Sequence, residues 1–175
     1  PARPDANHYD LLASEARLAS FYAAAKGDVP WEHWFKLGRP LTKVGRSPVL
    51  LSWSATMFEY LMPSLWMQSD ADSLLSHSCR GAVSEQIRYG SERGVPWGIS
   101  EAGFFLFDAD KNYQYRAFGV PTLGFKRGLQ DDLVIAPYAS MLALSLRPRA
   151  TMENVHRMVE LGMCGHFGFY ESADF

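Results

Sequence analysis

The chain has 175 residues, which is enough for one domain with a sizeable hydrophobic core. Its 17 basic and 19 acidic residues nearly cancel, which excludes the basic surface expected of a nucleic-acid-binding protein. The two cysteines, Cys79 and Cys164, are too few and too far apart in sequence for a disulfide framework, which favours a reducing compartment. No apolar run approaches the roughly 20 residues that a membrane helix needs.

The first predicted element is a helix over residues 7–26, where apolar side chains recur at helical spacing. Asp5 or Asn7 fits its N-cap, and Gly27 fits the C′ position after its last turn. Glu15 falls near the edge of the apolar stripe, so we expect it to be solvated.

The next region, residues 31–47, mixes aromatic with basic side chains. His33 lies between Trp31 and Trp34 and fits either a packing role or a ligand contact. No second His or Cys stands at metal-ligand spacing from it, so we predict no metal site.

Two further helices are predicted in the middle of the chain. One covers residues 56–68, with Thr56 as N-cap and Glu59 at N3, the capping-box arrangement. Glu59 therefore has either this structural role or a polar contact in a site, because its neighbours are apolar. The other helix begins at Asp72 and ends at Gly94. Its predicted solvated face consists of Arg80, Glu85, Arg88 and Glu92.

The last third of the chain is also predicted to be helical. Residues 137–146 suit a buried helix that Pro148 ends, and Thr151 caps a shorter helix that Gly162 closes. Strand patterns at regular spacing are missing, which argues against a β-sandwich or a doubly wound sheet. We therefore predict a mainly α fold whose long, aromatic-rich loops carry function.

The most informative stretch is residues 96–128, where isolated charges alternate with aromatic residues and glycines. Glu101 stands there between a Trp-Gly turn and an aromatic run. Such a mixture fits a concave sugar-binding surface, because aromatic rings stack on the C–H faces of pyranoses while charged groups bond the hydroxyls. It fits a buried, loop-rich core equally well. The chain has no nucleophile elbow, P-loop or dinucleotide-binding motif that would favour another chemistry.

Three carboxylates stand in aromatic surroundings: Glu59, Glu101 and Glu171. Glycoside chemistry needs two carboxyl groups across the scissile bond, one as general acid and one as nucleophile or base. Aromatic walls favour that task, because desolvation raises the pKa of the acid. The pattern suggests such a site but is not specific to it.

Several long segments, in order, resemble the glycoamylase-like domain of bacterial cyclic β-1,2-glucan synthases, a domain related to endo-β-1,2-glucanases. The resembling segments are residues 9–21, 26–42, 50–67, 93–104, 113–140 and 165–175. They include FEYLMP around Glu59, GISEAG around Glu101 and FYES around Glu171.

The resemblance implies an (α/α)₆ toroid, which needs more helices than this chain can supply. We therefore expect residues 1–175 to be a single segment, an incomplete portion of that domain in a larger multidomain protein. The protein implied is a bacterial inner-membrane enzyme that synthesises β-1,2-glucan through a glycosyltransferase part. This segment is then expected on the cytoplasmic side, without membrane contact of its own. Its expected partners are β-1,2-glucan or another oligosaccharide and the remaining domains of the synthase.

The resemblance also implies site residues. Glu101 and Glu171 become the expected catalytic pair, with the acid and the nucleophile or base unassigned, and Glu59 becomes a substrate contact or an orienting residue. The other expected substrate-binding residues are Trp53, Trp97, Tyr113, Tyr115 and Arg116, with Lys126 and Arg127 as weaker candidates. No cofactor is expected.

Three interpretations follow. The first is a transglycosylase or hydrolase segment that acts on β-1,2-linked glucose with paired carboxylates. The second is a carbohydrate-binding module of the same synthase, in which another domain does the chemistry. The third is a non-catalytic piece of a helical toroid, which predicts no sugar affinity and an exposed apolar face.

Overall fold

The computed structural model describes residues 8–175, and within that range the chain is mainly α-helical with short antiparallel hairpins. The α-helices are α1 (Ala16–Lys26), α2 (Glu32–Lys36), α3 (Met57–Leu61), α4 (Leu74–Arg93), α5 (Pro137–Leu142) and α6 (Pro148–Glu160), and 3₁₀ turns cover Met62–Leu65 and Pro121–Leu123. The strands are β1 (Leu41–Val44), β2 (Ser47–Leu50), β3 (Ala102–Phe107), β4 (Tyr113–Arg116), β5 (Val134–Ile135), β6 (Cys164–Gly165), β7 (Gly168–Phe169) and β8 (Ala173–Asp174). They form two-stranded sheets in the pairs β1–β2, β3–β4, β5–β8 and β6–β7.

Helix α1 begins at Ala16, well after the predicted start at residue 7. Residues 11–14 before it are buried and irregular, and there the Leu12 amide donates to the Gly38 carbonyl at 2.9 Å instead of continuing a helix. The predicted caps at positions 5 and 7 lie outside the described residues. The predicted end is confirmed, since Gly27 adopts a left-handed conformation with φ 81°.

Helix α3 has the predicted capping box but ends seven residues before the predicted boundary at residue 68. Pro63 has no N–H to donate to the Glu59 carbonyl, so the α-helical ladder stops there. The buried Arg17 guanidinium takes that carbonyl instead at 2.8 Å and the Tyr60 carbonyl at 2.6 Å. One long-range side chain thus completes the hydrogen bonding of a short helix and ties α1 to α3.

Helix α4 matches its prediction closely, with a left-handed Gly94 at its end and Ser73 in place of Asp72 as N-cap. The predicted solvated face is wrong at Glu85, which is buried. Its carboxylate pairs with Arg88, and these bonds hold the pKa of Glu85 below its usual range.

Pro148 begins α6 instead of ending the helix before it, and Thr151 lies inside α6 instead of capping it. Proline is well suited to the first helical position, because the N–H that it lacks would have no partner there. The preceding helix α5 is therefore shorter than the predicted 137–146 and gives way to turns after Leu142.

The strands were not predicted, and they bring distant segments of the chain together. The β3–β4 hairpin lies inside the central stretch, Ile99 bridges to Ile135, and Ile135 pairs with Ala173 in β8. Residues just after Ile99 and just before Ala173 therefore lie on neighbouring segments. Among residues 8–175, no helix is long and apolar enough to cross a bilayer.

Candidate functional site

Glu101 lies immediately before β3, where two elements fix its backbone. The Ser100 hydroxyl accepts a bond from the Phe58 amide of α3 at 3.1 Å, and the Tyr138 hydroxyl of α5 lies 2.8 Å from the Glu101 carbonyl. The half-buried Glu101 carboxylate accepts a bond from the Tyr115 hydroxyl of β4 at 3.1 Å. This places a single, incompletely bonded carboxylate beside an exposed aromatic ring.

Burial raises the pKa of the Glu101 carboxyl, and the negative charge of Glu15 adds to the rise. The hydrogen bond from Tyr115 opposes the rise, because it favours the charged carboxylate. The pKa of Tyr115 itself rises to about 12, through desolvation first and then through the charge of Glu101. A carboxyl that holds its proton to higher pH than usual is suited to donate it to a leaving group.

Glu171 is brought to the same hairpin from the end of the chain. Its two carboxylate oxygens accept bonds from the Gly103 amide at 2.8 Å and from the Tyr113 hydroxyl at 2.9 Å. Tyr113 and Tyr115 stand two residues apart on β4, so the hydroxyls that bond Glu171 and Glu101 come from the same face of the hairpin. Two of the three predicted carboxylates therefore do come together.

Glu59 lies in a closed environment and is only 1% exposed. Its carboxylate accepts bonds from the hydroxyl of Ser52 and from the amides of Trp53, Ser54 and Thr56, at 2.9 to 3.2 Å. Burial raises its pKa and these bonds lower it. In this structure the Glu59 carboxylate is enclosed and shapes the loop over residues 52–56, which agrees with the capping-box role and leaves no exposed oxygen for a direct substrate contact.

The two predicted tryptophans lie in different environments. Trp97 is only 6% exposed and belongs to the core, where its backbone bonds to Asn154 and Ser140, so it offers no face to a sugar. Trp53 is half-buried against Phe125, with ring centroids 5.8 Å apart. Its indole Nε1 is buried and has no hydrogen-bond partner among residues 8–175.

The predicted basic residues are engaged beside the hairpin. Arg116 lies 5.0 Å from the Phe104 ring centroid and 5.1 Å from that of Phe118, and it pairs with Asp132. Lys126 donates to the carbonyl of Ala117 at 2.7 Å. Arg127 is exposed in the same loop. Arg116 therefore supports the β4 end of the hairpin, with its charge already paired.

Three residues of this surface were missed: Tyr9, Glu15 and Tyr138. The pKa of Tyr9 rises to about 12, through desolvation first and then through the charges of Glu15, Glu59 and Glu101. The spacing of these residues along the sequence did not indicate a shared site, because they belong to separate structural elements. All three do fall within the resembling segments 9–21 and 113–140.

The side chains that line this surface are carboxyls, phenols and aromatic rings. Across the described residues, no group of three His, Cys, Asp or Glu side chains is arranged to hold a metal ion. The arrangement can bind a polar ligand with flat apolar faces and can transfer protons to or from it.

Comparison with known proteins identifies the family. The Glycoamylase family, described as "Putative glucoamylase", matches residues 7–175. The chain is also 53% identical over 167 residues to the "Cyclic beta-(1,2)-glucan synthase NdvB" of Rhizobium meliloti (strain 1021). The match covers 95% of this chain but only 6% of that relative's length.

Proposed function

This chain belongs to the Glycoamylase family, and from that premise we propose that it binds β-1,2-glucan and contributes carboxylates to the making or breaking of its glycosidic bonds. The similarity to a cyclic β-(1,2)-glucan synthase supports this substrate. Ring closure by transglycosylation is the reaction that we assign to the complete protein, with hydrolysis as the same chemistry when water is the acceptor.

One observation carries the proposal: the half-buried Glu101 carboxyl, with a raised pKa, lies beside the exposed ring of Tyr115. Aromatic rings stack on the apolar faces of glucose, and a protonated carboxyl next to them can donate to the glycosidic oxygen. We therefore propose Glu101 as the general acid of the site.

Glu171 is the partner that the family motifs suggest, acting as nucleophile or base. Its position on the β3–β4 hairpin beside Glu101 supports a role in the same site. Tyr113 and Tyr115, which are 53% and 61% exposed, are proposed to line the sugar subsites. Trp53 contributes a partly exposed edge next to Phe125.

We further propose that the chain is one segment of an (α/α)₆ domain in a larger bacterial synthase, lying on the cytoplasmic side of the inner membrane. The small share of the relative that the chain covers supports a multidomain protein. Exposed apolar side chains, among them Phe105, Phe107 and Phe167, then pack against the remaining helices of that domain.

Calorimetric titration tests the binding. Linear β-1,2-glucooligosaccharide is titrated into the chain, with a β-1,3 oligomer as the control ligand. We expect saturable heat from the β-1,2 oligomer, with an affinity that falls by about two- to tenfold for Tyr115→Ala, since an aromatic stacking contact contributes about 0.5–1.5 kcal/mol. Equal heats from both oligomers, or none from a folded sample, would contradict the proposal.

The exposed rings of Tyr113 and Tyr115 also favour a second function, that of a binding module without chemistry of its own. In that case the glucan affinity persists, but Glu101→Gln leaves turnover by the full-length protein unchanged. Turnover measured beside the titration therefore separates the two functions.

A further inference from the structure

A cavity of about 650 Å³, the α4 cavity, lies beside the first half of α4. One face of that helix lines it with His77, Arg80 and Ser84, which recur at helical spacing. The start of β2 and Arg147, the residue before α6, line it from two other elements. Three elements that are distant in sequence therefore build this cavity.

The α4 cavity rests on a close junction between β2 and α4. Gly81 permits this junction, since a Cβ atom there would lie 2.5 Å from Cγ2 of Val49. The Ser78 hydroxyl, three residues earlier on α4, accepts a hydrogen bond from the Leu50 amide at 3.0 Å. Gly81 also lines the cavity, so the lining is mounted on rigid elements, which favours precise binding.

Two arginines give the α4 cavity its positive charge. Arg80 is half-buried, and its guanidinium donates to the Ser76 hydroxyl at 2.8 Å and to the Ala71 carbonyl at 2.7 Å. Arg147 is exposed and donates to the Ser84 hydroxyl at 3.3 Å. Within the described part of the chain, neither arginine forms an ion pair. A guanidinium has five N–H donors, so most donors of both side chains are left for a ligand.

The remaining lining suits the hydroxyls and C–H groups of a sugar. Ser47 and His77 carry groups that can donate or accept hydrogen bonds. Asp72 can accept bonds from hydroxyls, and the two arginines outweigh its negative charge. Val44 and Pro48 add apolar surface. The volume is typical of small-molecule sites and exceeds what a phosphate ion alone would fill.

We propose that the α4 cavity binds a hexose phosphate, with the phosphate group between Arg80 and Arg147. A tetrahedral phosphate presents acceptor oxygens in several directions, so it can accept bonds from two guanidinium groups that come from different elements. A carboxylate is planar, and one guanidinium fork is enough to satisfy its two oxygens. The sugar ring then lies against Val44 and Pro48.

This site goes beyond the function proposed above. None of the residues that line the α4 cavity belongs to the surface around Glu101. The proposed function concerns the glycosidic bonds of an uncharged glucan, whereas the α4 cavity takes a charged monosaccharide. Either proposal can therefore fail without the other.

Amide NMR of the ¹⁵N-labelled chain tests this site, with glucose 6-phosphate as the probe and inorganic phosphate and glucose as control ligands. We expect the amide signals of Ser47, Gly81 and Ser84 to shift saturably with glucose 6-phosphate, at an affinity about tenfold or more above that of either control. Arg147→Ala is expected to weaken this binding by about tenfold or more, because charge-assisted hydrogen bonds are lost. Arg149→Ala removes the same charge from a side chain outside the cavity and, as the matched control, leaves the affinity within about twofold.

Three results would each overturn the inference: no saturable shift, equal affinity for glucose 6-phosphate and inorganic phosphate, or unchanged affinity in Arg147→Ala. Arg80→Ala is expected to lose binding as Arg147→Ala does. Because Arg80 also bonds the Ala71 carbonyl before α4, a folded spectrum of that variant is required first. If Arg80→Ala does not fold, the exposed Arg147→Ala decides alone.

Discussion

Glu59 and Glu101 are both carboxylates in aromatic surroundings, yet the structure gives them opposite environments. The loop over residues 52–56 encloses Glu59 and supplies its carboxylate with amide and hydroxyl donors. Glu101 is half-buried at the edge of an open hairpin and receives one side-chain bond, from Tyr115. The first carboxylate is fully used by the fold, whereas the second keeps bonding capacity for a ligand.

The difference originates in local sequence. Thr56 stands three residues before Glu59, so the side chain folds back onto the amides of its own loop. Glu101 precedes a strand, and a strand leaves its side chain without local amides to bond. The number of donors within reach separates a structural from a functional carboxylate better than aromatic neighbours do.

The largest expected effect comes from Glu101→Gln, which keeps the shape of the side chain and removes its proton. If Glu101 is the general acid, turnover of linear β-1,2-glucan by the full-length protein falls by roughly 10²–10⁴-fold. The free energy of unfolding changes by less than about 0.5 kcal/mol, since the position is partly exposed. Parallel turnover assays and denaturant titrations measure both quantities. A large loss of stability in Glu101→Gln would contradict the account, because it would mean that Glu101, like Glu59, is a structural residue.

Glu59→Ala is expected to show the reverse pattern. It leaves several buried donors without an acceptor, which lowers the free energy of unfolding by about 3 kcal/mol or more. Thermal or urea unfolding measures this loss, with Glu92→Ala as a control that changes stability by less than about 0.5 kcal/mol. If Glu59→Ala left the stability unchanged but weakened glucan binding, Glu59 would be a substrate contact and not a structural residue.

A smaller effect is expected from Tyr115→Phe, which removes the hydrogen bond that favours the charged Glu101 carboxylate. Without that bond the pKa of Glu101 rises further, so the alkaline limb of the pH–rate profile moves to higher pH, by about one unit or less. Tyr113→Phe, whose hydroxyl bonds to Glu171 instead, is the matched control and leaves that limb in place. Movement to lower pH for Tyr115→Phe would contradict the assigned acid.

Local signals in the sequence predicted the parts of the fold that depend on neighbouring residues. The capping box at Thr56 and the left-handed glycines that end α1 and α4 follow from spacing and backbone preference alone. The early end of α3 follows from Pro63, but the residue that completes its hydrogen bonding, Arg17, comes from a distant element. A local sequence pattern cannot predict a hydrogen-bond partner that comes from a distant element.

The candidate site likewise has residues that the sequence predicted and residues whose environment it did not predict. Glu101 was chosen as a candidate because it stands alone among aromatic residues, and Glu171 because a family motif contains it. Glu15 was expected to be solvated because it falls near the edge of the apolar stripe, whereas the structure places it half-buried at the N-cap of α1. Trp97 was expected at the surface because aromatic residues near a carboxylate look alike in sequence, whether or not the fold buries them.

The contrast between the two carboxyls can be measured directly by carbon NMR of the chain with ¹³C-labelled glutamate side chains, titrated with β-1,2-glucooligosaccharide. Glu101→Gln and Glu59→Gln spectra assign the two signals. We expect the Glu101 carboxyl signal to shift saturably with ligand while the Glu59 signal stays fixed. A shift at Glu59 with Glu101 unmoved would contradict the account, because it would show that the enclosed carboxylate, and not the open one, meets the glucan.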